Sequence, residues 1–199
     1  MIFSTNVLLQ KYKSFVDPYG KIRRLVQKKD LLQLAKGLYT DDQNISGFYV
    51  ANAIYGPSYI SFNSALSYWG MIPEAVYSIT SATTKKLKKK SYSNFLAEFT
   101  YRDVPPQVYP YGIKIVEENG YRFMIASKEK ALCDKLYELP VIKNQKELVH
   151  VLFDDMRLDY DAFLSLNRSD IYFLAEKYHS NNVDLLEKYL RRINHEQYH

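Results

Sequence analysis

His195, Glu196 and His199 match H-E-x-x-H, the pattern in this chain with the most direct chemical meaning. On a helix, two imidazoles one turn apart bind a zinc ion, and the glutamate polarises a water molecule. A match to three fixed positions is common by chance, and this one lies in a polar context among the last five residues. A third ligand would have to come from upstream, for example from His150 or His179. We therefore expect no metal site and no metallopeptidase.

Other residue types that perform catalysis are not arranged for it. Cys133 is the single cysteine, and no His or Asn is placed by the sequence to activate it, which indicates a core residue. A run of acidic residues looks like a calcium loop, but it lacks the turn glycine and the terminal glutamate, so we interpret it as helix ends and caps. These residues are Asp154, Asp155, Asp159 and Asp161. No glycine-rich phosphate loop and no G-x-S-x-G elbow occurs. The sequence predicts no catalytic residue and no cofactor.

The distribution of charge indicates a different kind of chemistry. The net charge is +5, but residues 1–40 hold eight Lys and Arg against two Asp, whereas residues 141–199 come to −2. Local basicity of this kind most often serves contact with nucleic-acid phosphates. A solvated basic surface is the alternative.

Two predicted helices and a hairpin would carry these N-terminal cations. The first helix spans 4–16, and Asp17 and Pro18 supply the N-cap and first position of a second helix, which ends near Lys28. Two short apolar segments on either side of Gly37 predict a β-hairpin. A basic helix followed by a small hairpin is the layout of a winged helix, in which the helix enters the major groove of DNA.

The predicted DNA contacts are the cations of the second helix and the hairpin turn. They are Lys21, Arg23, Arg24, Lys28, Lys29 and Lys36. Arg24 is the candidate for contact with a guanine edge, and we expect the others mostly to neutralise phosphates. Only about 30 residues precede the hairpin. Three full helices do not fit there, so either the module is trimmed or its first helix is displaced. A basic structural subdomain is the alternative.

A second group of cations is the lysine loop, residues 85–90. Five of its six residues are lysines, namely Lys85, Lys86, Lys88, Lys89 and Lys90. Because like charges repel, we predict an exposed loop or strand extension. Two interpretations stay open: a solubilising loop, or a second contact with nucleic acid or with an acidic partner.

The segment Pro57–Glu74 organises the rest of the predicted fold. It begins with a short strand and continues as a helix with apolar residues at i, i+3, i+4 and i+7 from Phe62 to Trp69, which predicts a buried helix. Alternating segments between residues 77 and 125, with Asn119-Gly120 as a hairpin turn, predict a small antiparallel sheet.

Helices are predicted for most of the chain after this sheet. A helix begins at the N-cap Ser127, ends before Pro140 and carries a leucine stripe. We expect its polar residues to form a solvated face. They are Lys128, Glu129, Lys130 and Asp134. Residues 144–199 are predicted to be helical throughout.

Three segments in this order resemble the AbiEi family, the antitoxins of bacterial type IV abortive-infection toxin–antitoxin pairs. They are YVANAIYGPSYISFNSALSYWGMIPE, YSITSATTKK and IASKEKALCDKLYEL. The resemblance covers roughly residues 20–140. It implies a winged-helix domain that represses its own operon by binding operator DNA, joined to a domain that neutralises a nucleotidyltransferase-like toxin without a stable complex being assumed. The family carries basic residues around the lysine loop, and Lys128 and Lys130 match its motif, so both groups form a candidate antitoxin or nucleic-acid surface.

The sequence thus predicts an α+β protein with two parts. Residues 1–43 form a small winged-helix-like DNA-binding module, and residues 44–199 form an antitoxin domain with a small antiparallel sheet and C-terminal helices. No apolar run is long enough to cross a membrane, and the single cysteine suits a reducing compartment, so we expect a cytoplasmic protein. The alternative function is a transcriptional regulator whose second domain senses a ligand or pairs subunits. An enzyme is the least favoured class.

Overall fold

The computed structural model describes residues 1–74 and 77–196, with the backbone alone described at 194–196. Helices and strands are mixed along the chain, and the strands form one three-stranded and one six-stranded sheet. The predicted α+β class is confirmed.

The N-terminal elements form a small sheet with two helices. They are β1 (Ile2–Ser4), α1 (Thr5–Lys11), α2 (Pro18–Gln27), β2 (Leu32–Ala35) and β3 (Leu38–Thr40). The sheet is antiparallel, with β3 between β1 and β2. The predicted order of two helices and a hairpin is present, and β1 is an additional strand. Helix α1 is shorter than predicted, because the chain has to leave the helical conformation before Asp17 caps α2 ahead of a proline.

Residues 44–126 supply the six-stranded sheet and two helices. The elements are α3 (Gly47–Ile54), β4 (Tyr59–Ile60), α4 (Phe62–Tyr68), β5 (Ser78–Thr83), β6 (Lys90–Ser93), β7 (Glu98–Asp103), β8 (Ile113–Glu118) and β9 (Tyr121–Ala126). The strand order is β6-β7-β5-β4-β9-β8. The predicted turn at Asn119-Gly120 joins β8 and β9, and both residues have positive φ, as a type I′ turn requires.

The sheet is larger than predicted, and it is mixed rather than antiparallel. Strands β5 and β7 are parallel, as are β4 and β9, while the other three pairs are antiparallel. The two-residue strand Tyr59–Ile60 lies between β5 and β9 and is buried on both faces. Alternating polarity marks a strand but does not identify its neighbours, so this long-range pairing was not predictable from the pattern.

Helices form most of the described residues after the sheet, and they pack on one another and on the sheet. They are α5 (Lys128–Glu138), α6 (Gln145–His150), a π-helical turn (Val151–Asp155), α7 (Tyr160–Leu164), α8 (Arg168–Tyr178) and α9 (Asn181–Glu196). The predicted cap role of Asp159 is confirmed, because its Oδ1 accepts the Ala162 N–H at 2.7 Å.

The main core surrounds the predicted central helix α4. Phe62, Ala65 and Leu66 are buried, and the indole N–H of Trp69 donates to the Ala126 carbonyl at 2.7 Å. Leu34 of strand β2 is buried in the same core, whereas Leu8, Ile22 and Leu31 form a separate small cluster. The N-terminal elements therefore have their own apolar contacts and are also anchored to the larger part.

Candidate nucleic-acid interface

Helix α2 is held in place by local signals at its first turn. Asp17 caps it by accepting the Gly20 N–H at 2.8 Å, and Pro18 occupies the first turn without wasting a backbone donor. A Cβ on Gly20 would lie 2.0 Å from the Asp17 carboxylate, so the close cap needs a glycine there. Ile22 packs into the small cluster on the inner face. The cations of α2 are consequently directed to the outer faces of the helix.

The structure leaves five of the six predicted DNA contacts exposed. They are Arg23, Arg24, Lys28, Lys29 and Lys36. Lys21 is half-buried, and its Nζ lies 5.2 Å from the centre of the Phe15 ring. A cation above an aromatic face keeps its charge at the surface, so Lys21 is still able to face a phosphate.

Two of these cations line a common groove. This groove, about 630 Å³ in volume, lies between α2 and the β2–β3 hairpin, and both Arg23 and Lys36 contribute to its wall. Sequence reasoning did not select Tyr19 and Gln27, which line the same groove one helical turn on either side of Arg23. Their i, i+4, i+8 spacing was the available signal.

Arg24 occupies a different position from Arg23. Its Nε donates to the Gly20 carbonyl at 3.2 Å, one turn earlier in the same helix. The guanidinium is therefore held along α2, with its terminal nitrogens left for a ligand. The geometry makes Arg23, next to Tyr19 and Gln27, an additional candidate for contact with base edges.

The hairpin turn is fixed to the start of helix α1. Gly37 adopts a φ of 80°, which a β-branched or bulky residue would not tolerate, and its carbonyl accepts the Thr5 N–H at 2.9 Å. The Thr5 hydroxyl donates to the same carbonyl at 3.3 Å. These bonds set the position of Lys36 relative to the two helices.

The lysine loop connects β5 to β6, and its backbone is anchored by one carboxylate. Asp103 Oδ2 accepts the N–H groups of Lys86 and Leu87, each at 2.7 Å, and Oδ1 accepts the Thr83 hydroxyl at 2.6 Å. Lys85 and Leu87 have positive φ, so the loop is tightly turned. The predicted exposed position of this segment is confirmed for Lys85, Lys88, Lys89 and Lys90.

Lys86 differs from the other lysines of the loop. It is half-buried, its Nζ donates to the Gly56 carbonyl at 3.0 Å, and it lies 5.0 Å from the centre of the Tyr55 ring. These contacts stabilise the loop on α3, so Lys86 is less available to a partner than its neighbours are.

Strand β6 connects the lysine loop with the hairpin. It begins at Lys90, and Asn94, just beyond its end, donates from Nδ2 to the Leu34 carbonyl at 3.0 Å. A four-residue strand is about 10 Å long between its first and last Cα atoms. The lysine loop and β2 of the hairpin are therefore connected through one short strand.

Lys130 does not belong to this surface, and the prediction that it is exposed is wrong. Lys130 and Asp134 of α5 are fully buried, and Glu129 has only 8% of its surface exposed. The predicted solvated face of α5 is thus wrong for three of its four residues, and only Lys128 is partly exposed. The reason is that α5 lies under α4 on one side and α8 and α9 on the other.

A buried polar cluster replaces the expected solvated face. It consists of Tyr59, Ser61, Lys130, Asp134 and Tyr178. Asp134 Oδ2 accepts the hydroxyls of Tyr59 at 3.0 Å and Ser61 at 2.6 Å, while its Oδ1 accepts the Lys130 ammonium at 3.0 Å and the Tyr178 hydroxyl. Lys130 Nζ also contacts the Tyr178 oxygen at 2.7 Å. Both charges are therefore paired, as burial demands.

Burial and the nearby carboxylate raise the pKa of the two tyrosines in this cluster. The pKa values of Tyr59 and Tyr178 lie well above the usual range, first because of desolvation and then because of Asp134. Burial also raises the pKa of the adjacent Cys133 thiol. A cluster without solvent access positions β4, α4, α5 and α8 relative to one another and does not contact a partner directly.

The H-E-x-x-H pattern, for which we expected no metal site, lies largely outside the described residues. The side chains of His195, Glu196 and His199 lie outside the described residues. Within residues 1–74 and 77–193, His, Cys, Asp and Glu side chains form no group of three that is suited to a metal ion. None of the helices in the described ranges has the length and apolar character needed to span a bilayer.

Comparison with known proteins adds no assignment. No protein-family model matches this chain, and no curated protein is significantly similar to it.

Proposed function

We propose that this protein is a DNA-binding autorepressor and the antitoxin of a type IV toxin–antitoxin pair. The observation that carries the DNA-binding part is the arrangement of exposed cations on α2 and at the hairpin turn. The ten residues of α2 give a helix about 15 Å long, and the major groove of B-DNA is about 12 Å wide. The helix thus has the size and charge to enter that groove.

The proposed contacts divide into two kinds. Lys28, Lys29 and the exposed residues of the lysine loop would neutralise phosphates, which gives affinity without sequence preference. Arg23 and Arg24 on α2 would contact base edges, since a guanidinium pairs bidentately with guanine. Lys36 at the hairpin turn would contact the flanking backbone.

The salt dependence of binding tests this assignment. The probe is a duplex carrying the DNA upstream of the gene, measured by fluorescence anisotropy across a range of NaCl concentrations. Changing Lys28, Lys29 and Lys36 to Gln removes three phosphate-neutralising charges and lowers the slope of log K against log salt by about 2.7. The matched control changes Lys143, Lys146 and Lys188 to Gln, which are exposed lysines of the C-terminal region.

The control variant has the same net charge as the test variant, so a difference between them reflects the position of the removed charges and not the total charge of the protein. We expect the control to keep the slope of the unchanged protein. Equal slopes for all three proteins, or equal losses in both variants, would show that α2 and the hairpin do not contact the duplex.

The antitoxin part of the proposal is supported by the three family-like segments and needs a cellular test. We expect growth to be restored when this protein is produced together with the product of the adjacent gene, a nucleotidyltransferase-like toxin. Failure of the full-length protein to restore growth from a demonstrably toxic neighbour contradicts the antitoxin role. That outcome would not contradict the DNA-binding part of the proposal.

A transcriptional regulator is the second candidate. It is favoured by a groove of about 960 Å³ in the C-terminal part, because a regulator that senses a ligand needs a site away from its DNA contacts. A DNA affinity measured without rescue of growth would favour this candidate.

A further inference from the structure

The groove of about 960 Å³, here called the acidic groove, lies between one end of the large sheet and the C-terminal helices. Ser78 and Glu98, the first residues of β5 and β7, line one side. Glu147 of α6 and Asp155 of the π-helical turn line the other side. None of the predicted DNA contacts lines it, so it is a separate surface.

The acidic groove has apolar walls that extend to an exposed rim. Ile142 and Val151 line it, together with Met156. Val141 at its rim is 72% exposed, and Tyr77 is 93% exposed. A concave apolar surface that continues onto an exposed rim is typical of a binding site for another molecule.

The charge of this groove is predominantly negative. Four carboxylates line it, those of Glu74, Glu98, Glu147 and Asp155, against the single ammonium group of Lys135. Glu74 pairs with Arg157 at 3.0 Å. The Glu98 carboxylate, by contrast, has no hydrogen bond or ion pair to any residue in the described ranges. The groove thus has unneutralised negative charge beside apolar surface.

Lys135 offsets this charge only in part. Burial, and then the nearby Arg102 guanidinium, lowers the pKa of Lys135. Because four carboxylates face one ammonium group, the potential inside the groove is set mainly by the carboxylates.

We propose that the acidic groove binds a basic amphipathic helix of a partner protein. Leucine-like residues of that helix would enter the groove between Val141 and Val151, and its Lys or Arg residues would pair with Glu98 and Asp155. A partner helix covers the exposed rim, which a small molecule inside the groove would leave in water. The proposal rests on neither the DNA-binding nor the antitoxin role.

Among the residues that the structure describes, a second copy of this chain does not offer a suitable helix. The basic amphipathic helix of the chain is α2, and its apolar residue Ile22 is buried against Leu8 and Leu31. The occupant therefore has a different sequence.

A single-cysteine label locates the binding. Cys133 is fully buried, so Val141→Cys adds one accessible thiol at the groove rim, where an environment-sensitive dye is attached. The matched control is Val16→Cys, because Val16 is fully exposed in the loop before α2. The probe is a synthetic peptide of about 18 residues with leucines at i, i+3, i+4 and i+7 and lysines elsewhere. We expect saturable emission changes at position 141 and none at position 16.

Charge variants then test the proposed contacts by calorimetry on the otherwise unchanged protein. Glu98→Gln with Asp155→Asn is expected to weaken peptide binding about tenfold, with the loss reduced at high salt. The control Glu118→Gln with Glu176→Gln removes two exposed carboxylates elsewhere and should leave affinity unchanged. Thermal unfolding checks that both double variants fold.

Three results would overturn the proposal. The first is equal binding by a Leu/Glu peptide or by a Leu/Lys peptide with a scrambled pattern. The second is equal affinity for the two double variants. The third is that a small organic cation such as phenylbutylamine binds the unchanged protein but not the Glu98→Gln, Asp155→Asn variant, and that the peptide binds neither. The last result would make the occupant a small molecule.

Discussion

The buried pair Lys130–Asp134 yields the sharpest quantitative prediction about this fold. Both side chains have no exposed surface, and the Asp134 carboxylate accepts four hydrogen bonds from within the cluster. Removing one partner of a buried ion pair leaves an uncompensated charge, which costs about 3–5 kcal/mol. We expect Asp134→Leu to lower the free energy of unfolding by about 4 kcal/mol, and Lys130→Met by about 3 kcal/mol.

The double variant should lose far less free energy of unfolding than the two single variants lose together. With both charges removed, the remaining cost is three hydroxyl groups that lose an acceptor, at about 1 kcal/mol each. Lys130→Met with Asp134→Leu should therefore cost about 3 kcal/mol, which gives a coupling of about 4 kcal/mol in the double-mutant cycle.

Urea denaturation, followed by circular dichroism, measures all four proteins. The control is Glu187→Gln, because Glu187 and Arg191 have the same i, i+4 spacing at 2.7 Å but are partly exposed. That change should cost less than about 1 kcal/mol. Additivity of the two single variants to within about 0.5 kcal/mol would refute the view that the pair is buried and mutually compensating.

Two further measurements follow from the same part of the core. The pKa values of Tyr59 and Tyr178 are higher in the folded state, so the native protein keeps protons that the unfolded chain releases, and stability should fall as pH rises above about 10. Urea denaturation between about pH 9 and pH 11 should give a shallower decline for Tyr178→Phe, and an equal decline would contradict this cause. The buried Cys133 thiol should react with Ellman's reagent only on unfolding, so rapid reaction of the native protein would be inconsistent with its burial.

Local signals in the sequence predicted the elements well where the determinants lie within a few residues. Asp17 and Pro18 indicated the start of α2, and Asn119-Gly120 indicated the β8–β9 turn, because a cap or a tight turn is decided by adjacent residues. The boundary of α1 was less accurate, since it depends on how the chain leaves the helix toward the next cap.

Long-range contacts were not predictable in the same way. Lys130 and Asp134 have the spacing of a solvated surface pair, and the hydroxyls that accommodate them come from Tyr59, Ser61 and Tyr178, far away in the chain. One signal for the burial of α5 was available in the sequence. The long helical region after α5 needs an apolar surface to pack against, and α5 was the nearest helix with an apolar stripe. One of the two parallel pairs in the sheet, that of β4 with β9, likewise depends on a strand that is only two residues long.

The way the N-terminal elements are attached determines how the two proposed functions should be separated. Removing residues 1–43 would take Leu34 out of the main core and break the bond between Asn94 Nδ2 and the Leu34 carbonyl. It would also remove Asp42, which accepts the Tyr121 hydroxyl. If such a truncated protein failed to restore growth, the cause would be either damage to the fold of residues 44–199 or a need for DNA binding, and the experiment would not distinguish them. Substituting exposed cations such as Arg23 leaves these contacts intact, so substitution variants distinguish repression from toxin neutralisation where truncation does not.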